Sequence, residues 1–212
     1  MSKKNRPIAR DQRTATNRRR RTTSYLPWST ARRLIRDTEQ AGRYNTALMI
    51  SAGIHFGLRI SDALNLTWGQ IRADVLEVVE QKTGKVRTMP IHKDFAALRD
   101  RYLAERFYAD RHPPDGAFVF VPGRGRQHGR PITVRAANKR FAAALERCGI
   151  ETANPSTHTL RKTFARRLWE QHGRNESALV LLSQVLNHRD VGVTRRYLGI
   201  TADEIAAAYT SL

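Results

Sequence analysis

The sequence predicts a mainly α-helical domain with one small antiparallel β-sheet, an α+β arrangement. Three observations carry this. Apolar residues recur at helical spacing along most of the chain beyond Leu26. One stretch, DVLEVVEQKTGKVRTMPIH, switches to two short β-type runs separated by a turn signal. A length of 212 residues with 40% apolar content suits one domain with a real core, or a domain with an appendage.

The elements follow in order. LPWSTARRLIRDTEQAG reads as a helix capped by Ser29 or Thr30 and stopped at Gly42. RYNTALMISAGIHFGLRISDALNLTW reads as two helices, with Leu48, Met49, Ile50 and Phe56 on buried faces and the second opening near Arg59. Val75–Val79 and residues 86–91 pair as a hairpin around a two-residue Thr83-Gly84 turn. FAALRDRYLAERFYADR returns to helical spacing, and RHPPDGAFVFVPGRGRQHGRPI is a Pro/Gly-rich loop with a short apolar strand at its centre. From Thr133 onward nearly everything is helical: TVRAANKRFAAALERCG, HTLRKTFARRLWEQHG, ESALVLLSQVLNH, a short helix reaching Tyr197, and TADEIAAAYTSL. No internal repeat is present.

Charge narrows the partner. Lys and Arg number 38 against 19 acidic residues, a formal +19. Self-repulsion of that size points to a polyanionic partner, nucleic acid before an acidic protein or a membrane surface. Nine of the basic residues and one acidic residue precede Tyr25, so residues 1–24 read as a basic, disordered arm that includes Arg18, Arg19, Arg20 and Arg21. The remainder still carries 29 basic against 18 acidic residues, so the basic character belongs to the body as well. No apolar run is long enough for a membrane span, and no signal-peptide core follows the basic N-terminus. The single Cys148 excludes an internal disulfide and a thiolate zinc cluster, and fits a reducing cytoplasm.

Several basic and histidine residues stand at spacings that chemistry can use. Arg59 and Asp62 are three apart on one helical face, where Asp62 can hold the guanidinium fork and leave donors free for a phosphate; a purely structural ion pair fits equally well. His158 and Arg161 are three apart at the start of a helix, itself a favourable place for a phosphate, although a surface histidine and arginine explain them as well. Lys82 and Lys85 flank the hairpin turn as cross-strand partners, and the spacing does not choose between them. His188 and Tyr197, nine apart, would face opposite ways on one helix. Asn187, His188, Arg189 and Asp190, followed by Gly192, break the helix, and Asp190 can cap a new one, so that the two side chains converge.

Taken together and in order, GLRISDALNLTW, the hairpin QKTGKVRTMPI, HTLRKTFA, LSQVLNHRD and VTRRYLGI resemble the signature segments of the tyrosine recombinases, the lambda-integrase-like site-specific recombinases. The resemblance runs from about Tyr25 to Thr201. It implies the catalytic-domain fold of that family over residues 25–212, with Arg59 and Arg161 clamping a scissile phosphate and Tyr197 as nucleophile. It further implies His158 as base, His188 at the second histidine position, and Asp62 at the acidic position. Lys82 matches the hairpin lysine better than Lys85. Lys85 and Lys162 are then expected, with the arm, among the DNA-binding residues. Neither cofactor nor metal is implied, because two fixed guanidinium groups stabilise the transition-state charge that metal ions carry in nucleases. The implied partner is double-stranded DNA, bound by a homotetramer on two sites; without DNA a monomer or weak dimer is expected, in the cytoplasm with the nucleoid. Only a basic arm precedes the catalytic segments, with Met1 read as the natural start, so the chain resembles the catalytic-domain-only members, of fimbrial-switch or simple phage-integrase type. Residues 201–212 are an amphipathic segment that packs in cis or docks on a neighbouring protomer. A type IB topoisomerase-like nicking and relaxing enzyme and a non-catalytic DNA-binding accessory protein are the rival readings.

Overall fold

A computed structural model describes residues 23–107, 111–122 and 129–198. Among these, the order is α1 (Trp28–Gln40), α2 (Tyr44–Phe56), α3 (Ile60–Leu64), α4 (Trp68–Arg72), β1 (Val75–Val79), β2 (Val86–Pro90), α5 (Lys93–Arg106), α6 (Val134–Arg147), α7 (His158–Gln171), α8 (Glu176–Val185) and α9 (Val191–Leu198). The architecture is mostly helical with one two-stranded antiparallel sheet, as the sequence predicts. No described helix is long and apolar enough to cross a membrane.

The fold is organised around α2. Every residue from Thr46 to Ile54 is buried, and Phe56 with them. A helix apolar on all sides is stable only when covered on all sides, and α1, α5, α6 and α7 provide that cover. Gly53 lets α7 approach, since a Cβ there would lie 2.6 Å from Leu160 Cβ. A second apolar cluster joins α7, α8 and α9 through Ala165, Trp169, Leu179, Leu182, Leu186 and Leu198, and the Tyr197 ring packs against it. The site lies where the two clusters meet.

Several local expectations change. Helix α1 starts at Trp28 after Pro27, with no side-chain cap from Ser29 or Thr30; proline's fixed φ begins the helix earlier. It does end before Gly42, whose φ of 70° takes the left-handed conformation. The tail of the LTW stretch is a separate helix, α4, opened by a Thr67–Gln70 capping box. The apolar run at Phe118 forms a single bridge to Thr67 rather than a strand. Thr23 and Ser24, expected at the end of the arm, are bound to the domain: Thr23 Oγ1 lies 3.3 Å from Ser156 Oγ, and Ser24 N donates to Ala153 O at 3.3 Å.

The hairpin also differs. Val79 pairs with Val86, and Glu80 N donates to Lys85 O at 2.9 Å. The loop is therefore Gln81 to Gly84, closed by Gly84 N on Glu80 O at 2.8 Å with Gly84 at φ 68°. Lys82 sits inside this four-residue turn and Lys85 at its base, so they are not cross-strand partners. One left-handed glycine at the fourth position closes a wider loop than the two-residue turn that Thr-Gly suggests.

Candidate active site

The site begins with unsatisfied carbonyls. A helix leaves its last C=O groups without intrahelical partners and gathers partial negative charge there. Helix α2 ends on Gly57, whose φ of 57° turns the chain out of the helix. Phe56 O then accepts from Arg87 Nη2 at 3.1 Å and Gly57 O from Arg161 Nη1 at 2.6 Å. Arg161 Nη2 donates to Leu186 O, the C-cap of α8, at 2.7 Å. Arg161 thus bridges the C-terminal ends of two helices, which explains how a guanidinium only 3% exposed is tolerated. Burial, with Arg59 and Arg87 nearby, lowers its pKa to about 10. That is still far above neutrality.

Arg59 is held differently from expectation. Its Nη1 lies 2.8 Å from Glu80 Oε2, and Glu80 is fully buried. Asp62, also buried, instead accepts from Gln81 N at 3.0 Å and fixes the hairpin loop. The reason is geometric: Glu80 continues the inward face of β1 after Leu76 and Val78, and so points at the guanidinium from across the site. Arg87, inward on β2, is the second cation beside it, with Nη1 3.6 Å from Glu80 Oε1. Burial alone would raise the Glu80 pKa, but the ion pair with Arg59 and hydrogen bonds from Thr83 and Asn187 outweigh it and hold the carboxyl below its ordinary range. Neither Glu80 nor Arg87 is among the residues singled out by spacing, although strand alternation places both on the buried face.

The break between α8 and α9 forms as expected. Asp190 Oδ1 accepts from Val193 N at 2.8 Å and caps α9. The His188 and Tyr197 rings meet edge to face, centroids 5.2 Å apart. His188 Nδ1 lies 2.9 Å from the buried Thr194 Oγ1. Burial, then Arg161 and Arg59, lowers the His188 pKa to about 4, so the ring is neutral at physiological pH. His158, at the first turn of α7, is lowered by burial and by Arg161, Lys162 and Arg59. Among the described residues, Tyr197 Oη is buried with no partner at hydrogen-bonding geometry. Burial pushes its pKa up to about 12, while Arg161 and Arg59 pull the other way. Tyr197 therefore faces the arginines of its own chain.

The lysines divide. Lys85 Nζ donates to Asn187 Oδ1 at 3.1 Å, while Lys82 stands exposed on the turn. Lys162 Nζ lies 5.6 Å from the centroid of the Tyr197 ring. Arg18 to Arg21 and the 201–212 segment lie outside the described residues.

The arrangement is a buried tyrosine hydroxyl near Arg161 and Arg59, with His188 against the tyrosine ring and His158 near the same arginines. The sequence signature of the phage integrase family spans residues 25–204. The chain belongs to this family, the tyrosine recombinases. Among the members it is similar to are the probable integrase/recombinase YoeC of Bacillus subtilis (strain 168) and the tyrosine recombinase XerD of Lacticaseibacillus casei. YoeC is 31% identical over 158 residues, 74% of this chain and 78% of that protein. XerD is 32% identical over 155 residues, 72% of this chain but 50% of that protein. The fold matches the recombinase XerH bound to palindromic difH substrate in a post-cleavage complex, with a TM-score of 0.67 at 18% identity over 88% of this chain and 52% of that one. It also matches lambda integrase, a dimer bound to a COC′ core site, with a TM-score of 0.58 at 19% identity over 82% of this chain and 47% of that one. The chain spans about half the length of most of these recombinases.

Proposed function

We propose that this recombinase domain cleaves a DNA strand by moving a phosphodiester onto Tyr197 and later rejoins it to another strand. The phenolic oxygen attacks phosphorus, the 5′-oxygen leaves, and the strand is held as a 3′-phosphotyrosyl ester until a 5′-hydroxyl reverses the step. The observation that carries this is Arg161, locked on two helix C-termini beside the Tyr197 hydroxyl, with Arg59 close by. Two fixed guanidinium forks match the non-bridging oxygens where charge gathers.

The remaining roles follow from protonation. With its pKa near 12, Tyr197 has little phenolate at neutral pH, so its proton leaves as the bond to phosphorus forms. His158, held unprotonated by burial and neighbouring cations, is the base. His188 Nδ1 is engaged with Thr194 Oγ1, which leaves Nε2 for the phosphate; in the tautomer that this role requires, the Thr194 hydroxyl donates to Nδ1 and Nε2–H donates to a phosphate oxygen. Lys82, exposed on the turn, supplies the proton that the departing 5′-oxygen takes. Double-stranded DNA is the partner in this reading, and a homotetramer on two sites is the assembly.

Suicide duplexes, nicked just beyond the cleavage position and drawn from a randomised pool, test it. The chain is expected to be trapped covalently through Tyr197, and Tyr197→Phe to form no adduct; absence of any wild-type adduct overturns the proposal. Plasmids carrying two copies of the recovered site then separate recombination from mere relaxation.

A further inference from the structure

Asn187 has a backbone φ of 54°, a left-handed conformation uncommon outside glycine. Its side chain occupies a position that accounts for the strain. Nδ2 donates to the buried Glu80 Oε2 at 2.9 Å and lies 3.4 Å from Thr83 Oγ1, while Oδ1 accepts from Lys85 Nζ at 3.1 Å. Thr83 Oγ1 donates to the same Glu80 oxygen at 2.8 Å. One amide therefore joins the base and the tip of the hairpin to the residue next to His188. Asp62 holds the loop from the α3 side through Gln81 N, and Val79 and Val86, the strand pair nearest the loop, are both largely exposed, so the amide is the link that runs from the loop to the His188 turn.

We infer that Asn187 is a positioning residue that docks the β1–β2 hairpin on the His188 turn, with Lys85 as the anchor, so that Lys82 is presented to the leaving oxygen. Both ends of the amide are needed, since Nδ2 reads the carboxylate that fixes Arg59 and Oδ1 reads the lysine. The hairpin is thus placed relative to the same group that orients the phosphate clamp. This role rests on the strand-cleavage reaction proposed above.

Asn187→Gly tests it, because glycine keeps the left-handed backbone and deletes only the amide. Single-turnover cleavage is compared on an ordinary duplex and on one with sulfur at the 5′-bridging position. A thiolate departs without a proton, its conjugate acid having a pKa near 8.5. Asn187→Gly is expected to slow cleavage of the ordinary duplex about tenfold or more and to cleave the sulfur duplex within about threefold of wild type. Lys85→Met is expected to reproduce this and to add little to Asn187→Gly. Equal slowing on both duplexes places the defect at His188 or Tyr197 and overturns the inference, as does no slowing at all. Hydrogen exchange of the amides from Gln81 to Lys85 gives a readout that needs no DNA. Faster exchange in Asn187→Gly is expected, and unchanged exchange overturns the docking. Failure of the wild type to form an adduct overturns the reaction, and proton delivery with it, while the exchange result still decides the docking.

Discussion

At the scale of single residues, Glu80 decides the electrostatics of the site. Its carboxylate is completely buried between Arg59 and Arg87, with hydrogen bonds from Thr83 and Asn187. A buried ion pair is weak evidence of net stability, but removing one member leaves an uncompensated charge at a cost of about 3–5 kcal/mol. Glu80→Gln keeps the shape and removes the charge, so urea denaturation is expected to show a loss in that range. Asp62→Asn is expected to cost less, because Gln81 N can still donate to the side-chain oxygen. Arg161→Lys makes a sharper case. A single ammonium cannot reproduce the fork that reaches Gly57 O and Leu186 O, and each buried carbonyl left unmet costs about 1–3 kcal/mol. Covalent trapping in this variant is expected to fall by about a hundredfold or more, and trapping near the wild-type rate would remove Arg161 from the phosphate clamp.

At the scale of elements, the end of α2 is a receptor for cations, and its approach to α7 depends on two small residues. Gly57→Ala strains a left-handed position and drives a methyl into the Phe164 ring, while Gly53→Ala drives one into Leu160. Overpacking of this kind costs about 1–3 kcal/mol. Gly53→Ala is expected to lower the melting temperature and, because Arg161 rides on α7, to slow cleavage as well. Next to this end, His55 of α2 stacks on His92, which caps α5, with ring centroids 4.2 Å apart. Asp94 completes a group of ligand type, yet planes inclined by only 21° do not converge on an ion about 2 Å from each nitrogen, so the stack is not arranged as a metal centre. It acts on stability through protonation instead. Burial, then His92, lowers the His55 pKa to about 4, with Arg32 adding to this while Asp94 and the Ser51 carbonyl oppose it. The folded value lies below the ordinary 6.5, so the unfolded chain takes up the proton first as pH falls. The contribution is complete above pH 6.5 and disappears toward pH 4, and His188 acts in the same window. Thermal unfolding across that range is expected to show a shallower decline for His55→Asn than for wild type; parallel curves would refute the assignment.

At the scale of the whole molecule, the described residues fix where the basic arm joins the domain. Thr23 and Ser24 are fixed to the loop before α7, Leu26 N donates to Thr163 Oγ1 at 2.9 Å, and Arg166 lies over the Tyr25 ring. Ser156, which meets Thr23, also accepts from His158 N at 3.3 Å. Whatever path residues 1–22 take, the chain leaves the domain beside a histidine of the site. For the reaction proposed above, we place the arm's nine basic residues on phosphates next to the cleaved strand. Deleting residues 1–21 is expected to weaken binding at moderate salt and to flatten the slope of log K against log salt by about 0.9 for each phosphate the arm neutralises. Unchanged affinity would show that the arm has no part in binding.

The sequence by itself determined the helical class, the hairpin and the break that brings His188 to Tyr197, features that periodicity, caps and short spacings encode within a few turns of chain. Arg59, His158, Arg161, His188 and Tyr197 were legible as a set only through the order of the signature segments, because spacing alone suited surface and structural roles as well. Tertiary structure alone decided which groups hold them. Arg59 is paired by Glu80 rather than Asp62, Arg161 by carbonyls 25 and 104 residues away, and Lys85 by Asn187 across 102 residues. A buried charge takes whatever partner the packing brings within reach, and that choice depends on contacts between segments far apart in the chain.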